Sequence, residues 1–169
     1  MLNDALRTDR LQRNGENKGL SDILRSTPSA TPPAKIVAGA FGYLDGPRDQ
    51  ATALEIRFRD GNCVWFAYHW LGTWRFNPSE GLLLKFSGDL VYLVLIRGSN
   101  FDQPLNDGGI SLTQGLQERR VMWVRELTEM EISQVGETGP TIDGIEVAEL
   151  ESPKAVKEWI DKKAPAFRG

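Results

Sequence analysis

One cysteine and one histidine in 169 residues remove most of the chemistry that side chains can supply. Cys63 alone cannot form an intramolecular disulfide, and a cysteine-built zinc site is excluded with it. His69 alone excludes multi-histidine metal sites and leaves at most one imidazole for general-base work. Neither GxGxxG nor GxxxxGK[ST] occurs, so Gly39, Gly42 and Gly46 read as turn and bulge positions rather than a phosphate loop. The N-terminus has acid and base interleaved and no apolar run of signal-peptide or membrane-span length. The net charge of −3 lacks the basic excess of most nucleic-acid binders. These absences predict a soluble, cytoplasmic protein with no membrane contact, no cofactor and no metal, a lone thiol being suited to a reducing compartment.

What is present suffices for a core. Hydrophobic residues make up 40% and charged residues 25%, close to the globular average. The charge is unevenly placed. Residues 35–125 carry ten bases against nine acids, whereas 126–151 carry eight acids and no base. Residues 1–34 hold few large apolar side chains and end in Ser26-Thr27-Pro28-Ser29-Ala30-Thr31-Pro32-Pro33, a composition that cannot offset the entropy of ordering. The expected organisation is a flexible N-terminal arm over 1–34 and a β-rich core domain over 35–127. An acidic linker or short strand over 128–151 and a C-terminal helix over 152–165 complete it.

Period-two alternation starts at Ala53: Leu54, Ile56 and Phe58 share one face, and Glu55, Arg57 and Arg59 the other. Asp60-Gly61 predicts a hairpin, and a three-residue loop brings Val64, Phe66 and Tyr68 onto the Leu54 face. Further strands are predicted at 74–76, 82–86 and 90–96, divided by Asn77-Pro78-Ser79-Glu80-Gly81 and by Ser87-Gly88-Asp89. The run Leu90 to Ile96 is apolar on both faces and reads as a central, fully covered strand. The predicted fold class is mainly β with minor α. A small antiparallel meander is expected to curl into a barrel or roll carrying Leu54, Leu82 and Leu93 on a common sheet. Ser111 to Gln114 has capping-box spacing and predicts a short helix near 112–120, after which 121–124 reads as a strand. Ser152 as cap, Pro153 at the first position and a Val156, Trp159, Ile160 stripe predict an amphipathic C-terminal helix.

No residue set completes a catalytic constellation. His69 lies in Tyr68-His69-Trp70 with no Ser or Asp placed to build a triad, and Cys63 on a strand is expected to be a small core residue. The candidate binding set is Trp65, His69, Trp70 and Trp74 with Arg57, Arg59 and Arg75: aromatic faces stack and guanidinium groups hold phosphates or carboxylates. On a half-buried sheet, at least two of the rings are needed for packing. The leading expectation is a non-catalytic binding or scaffold module that recognises a protein partner or self-associates through an aromatic-rich sheet edge. Single-stranded nucleic-acid binding through the Trp/Arg cluster is the first alternative, and an enzyme using His69 with a carboxylate the second.

Overall fold

The computed structural model describes residues 39–169; the arm expected over 1–34 lies outside them. The described residues form a mainly β fold with eight strands and three helices. In chain order these are β1 (Phe41–Tyr43), β2 (Ala53–Arg57), β3 (Cys63–Ala67), β4 (Leu71–Asn77), β5 (Gly81–Ser87), β6 (Val91–Ser99), α1 (Leu112–Gln117), β7 (Val121–Arg125), α2 (Glu129–Val135), β8 (Thr141–Leu150) and α3 (Pro153–Lys163). They build two four-stranded sheets, β1-β7-β2-β3 and β4-β5-β6-β8.

The β2–β3 hairpin has the expected register, with Leu54 opposite Phe66 and Ile56 opposite Val64. Gly61 takes φ +89°, as its turn requires. The expected single meander does not continue. Tyr68 is buried and donates its hydroxyl to the Val121 carbonyl at 2.7 Å, a 3-10 turn spans Tyr68–Trp70, and β4 then pairs with β5 alone. The chain therefore crosses from one sheet to the other at this turn, and neither sheet closes into a barrel. The two sheets face each other across one core: Leu54, Ile56 and Phe66 of the first meet Leu82, Leu84, Phe86, Val94 and Ile96 of the second. Phe66 and Phe86 stack across the gap with centroids 4.6 Å apart.

Leu93 and Leu95 correct the one-sheet, one-face expectation, because their register partners are Lys85 and Leu83 on the opposite face of β5 from Leu84. That outer face has its own cluster, in which Leu83, Leu93, Leu95, Ala164 and Phe167 pack with Val156, Trp159 and Ile160 of α3. β6 is thus covered on both faces and paired on both edges, as its apolar run demands.

The acidic segment 128–151 is more than a linker or short strand. Thr128 and Glu131 form a reciprocal capping box that starts α2, and β8 is a ten-residue strand paired along β6. Its glycines misled because only Gly136 and Gly139 fall in the connection, while Gly144 sits within β8. β7 is the strand expected at 121–124, but it lies between β1 and β2, antiparallel to the first and parallel to the second. Ser152 caps α3 as expected, accepting from the Ala155 N–H.

Candidate functional site

The aromatic-rich segment runs along two consecutive sheet edges. β3 ends the first sheet, β4 ends the second, and the 3-10 turn joins them. Trp65 is 61% exposed and Trp70 41%, and His69 is exposed beside Trp70 in an edge-on contact with centroids 5.4 Å apart. Trp70 lies over the turn at Gly88, about 3.3 Å from where a Cβ there would stand. Trp74 instead packs against the main core, opposite Leu84. Tyr68 and Trp74 therefore serve packing, and Trp65, His69 and Trp70 form the exposed set.

The four sheet edges differ in how they are protected from pairing with another chain. β1 has three residues, all buried. β8 presents Asp143, Glu146 and Glu149, and Glu146 is held by Lys163 at 3.0 Å. β4 has a register irregularity between Leu71 and Trp74, and its Arg75 donates to the Phe167 carbonyl at 2.6 Å. Charge, brevity, irregularity and cover are the usual defences of an edge. β3 has none of them: Cys63-Val64-Trp65-Phe66-Ala67 holds no charge and no proline, pairs regularly with β2, and turns Cys63 and Trp65 outward.

The three arginines are not gathered in one place: Arg57 stands opposite Cys63 at the start of β3, whereas Arg75 lies on the second sheet. Arg57 is paired with Glu55 at 2.7 Å and its guanidinium lies 4.5 Å from the Trp123 ring centroid. That hydrogen bond holds the Glu55 carboxyl below its usual range. Arg59 donates to the Leu127 and Asp143 carbonyls at 2.8 and 3.0 Å, and its backbone N–H donates to Glu126 at 2.7 Å. Arg75 lies on the outer side of the second sheet. Two of the three are committed to the neighbourhood of β7, and the third to the C-terminal segment.

Cys63 departs from its expectation as a core residue and is exposed at the start of β3, because the three-residue loop puts its side chain on the outer face. Desolvation, reinforced by the Glu55 carboxylate, pushes its thiol above the ordinary value, the opposite of what activates a nucleophile. Among the described residues no group of three His, Cys, Asp or Glu side chains is placed to hold a metal, and no helix is long and apolar enough to cross a membrane.

Comparison with known proteins gives no match: no family model, no characterised protein and no solved structure is similar to this chain.

Sequence reasoning found the aromatic segment but missed the contrast between edges. The signal was present in the five uncharged residues of β3, while neighbouring β2 has charged residues at alternate positions.

Proposed function

We propose that this protein is a non-catalytic binding or scaffold module that recognises a protein partner, or a second copy of itself, by strand addition along β3. The observation that carries this reading is the unprotected edge of β3 with Trp65 61% exposed upon it. Main-chain hydrogen bonds would supply affinity along the strand, and the Trp65 ring, with Trp70 and His69 beyond it, would supply an aromatic anchor. In this reading the two sheets are the halves of an open roll, supported by their common core. A cytoplasmic setting, which keeps Cys63 reduced, goes with it. Single-stranded nucleic acid is less well supported, since Arg57 and Arg59 already have protein partners.

Sedimentation of the full chain from micromolar to millimolar concentration, with selection from a displayed library of extended peptides, tests the reading. The expected result is a concentration-dependent dimer or a retained strand-forming peptide. Either should be insensitive to salt and lost in Trp65→Lys without a change in melting temperature. A chain that stays monomeric and retains no peptide overturns it.

A further inference from the structure

The outer face of the second sheet holds a feature that strand addition does not use. α3 covers its β6–β8 side, where Arg97 donates to the Lys163 carbonyl at 2.9 Å and Glu146 bridges to Lys163. Towards β4 and β5 the cover passes from α3 to the C-terminal segment at Phe167, leaving a groove of about 510 Å³ between the sheet, α3 and that segment. That volume lies within the range of small-molecule sites, about 300–1,000 Å³. Its floor is apolar, made by Leu83 and Leu93, with Ile160 and Phe167 on the far wall.

Its side-chain charges are mainly positive. Arg75, Lys85, Lys157 and Arg168 line it with a single acid, Asp161, which Arg168 already engages at 2.7 Å. Arg75 is taken up by the C-terminal segment, donating to the Phe167 carbonyl at 2.6 Å, whereas among the described residues Lys85 and Lys157 have no carboxylate at ion-pair distance. Lys85 is half-buried on the sheet face, directly opposite Leu93. Arg75 stands opposite Leu83 in the same way. Each cation is therefore fixed beside an apolar floor residue by strand register. A long side chain that covers apolar surface with its stem ordinarily keeps its head in water, and the heads of Lys85 and Lys157 beside one apolar floor suit a shared counter-charge.

We propose that this groove is a binding site for a small amphipathic anion, its acidic head held by Lys85 and Lys157 and its apolar body laid on Leu83 and Leu93. A carboxylate and a phosphate monoester share this chemistry. The two ammonium groups serve as point charges for either.

Binding of decanoate, decyl phosphate and decanol to the full chain, below their aggregation concentrations, tests the site by amide chemical-shift titration. One or both anions should saturate with shifts confined to β4, β5 and α3. The tighter of the two identifies the head, and decanol should bind at least about tenfold more weakly, the scale of one lost charge-assisted contact. Lys85→Met and Lys157→Gln should each weaken the anion by about three- to tenfold and leave decanol unchanged, with the folded spectrum of each variant showing that it remains intact. Saturation by neither anion, equal affinity for decanol, or full anion affinity in both variants overturns the proposal. Loss of dimerisation or peptide uptake on β3 would leave these titrations intact, so the two proposals fail separately.

Discussion

Two buried residues carry more of the fold than their types suggest. Arg120 is only 6% exposed, yet it is fully occupied. It donates to the Leu44 and Asp45 carbonyls at 2.9 Å each and to Glu118 at 2.8 Å. Arg120→Met keeps the apolar stem and leaves two carbonyls without their charged donor, and should cost about 2–3 kcal/mol in denaturant unfolding. Gly42 has no side chain because the Trp123 indole occupies the space where a Cβ would stand. Gly42→Ala should cost about 1–3 kcal/mol by the same measurement, as overpacking generally does. Trp65→Ala, in contrast, removes a largely solvated ring and should change stability by less than about 0.5 kcal/mol while still removing the anchor from β3.

At the scale of elements, the α2 start is the place where acid should be felt. The Arg125 guanidinium, 2.8 Å from Glu131, together with the capping contacts of Thr128, holds the Glu131 carboxyl down at about 2, against an ordinary value of 4.5. Glu131 stays ionised in the folded chain at pH values where the unfolded chain has taken up a proton. Its contribution is therefore complete above about pH 4.5 and is lost as pH falls from there through about 2. Glu131→Gln should melt lower than the parent at neutral pH and converge with it at the acid end of that window. Thermal melts of both proteins across the window check this. In β6, Leu93→Ala should cost about 2–5 kcal/mol, the range for a buried leucine.

Those elements also show what could be read from residues alone. Alternation in Leu54, Ile56 and Phe66 gave the hairpin and its register, because a one-residue slip would turn every one of these side chains to solvent. The caps Ser111 and Ser152 gave two helix starts. β8 escaped because glycines and acids hide a strand whose apolar positions, Ile142, Ile145 and Val147, are broken by Gly144. The second apolar layer was legible but unassembled. Leu83 on the outer face between the core residues Leu82 and Leu84, a β6 run apolar on both faces, and a helix with Trp159 to bury each required a partner, and each is the others' partner. The groove of Arg75 and Lys85 follows only once that layer is placed. The division of the arginines depends on contacts with Leu127, Asp143 and Phe167, which no local spacing encodes.

The described residues are layered as sheet, sheet, helix, and the outermost layer does protective work. Removing residues 152–169 should expose Leu83, Leu93 and Leu95 together as one apolar patch, and such patches drive association. The shortened chain is expected to bind an apolar fluorescent dye and to sediment as aggregates, where the full chain does neither beyond the equilibrium assigned to β3.

The position of β7 has a consequence in time. It lies between β1 and β2, so the first sheet stays in two pieces until residues 121–125 have been made and have found their slot. On a ribosome, β4, β5 and β6 all emerge before that strand. The β2–β3 hairpin must wait through their synthesis with both flanks unpaired, and closing so long a loop is slow. During that interval the nascent chain offers two open edges instead of one, which makes the period before β7 arrives the stage at which chaperones would matter most.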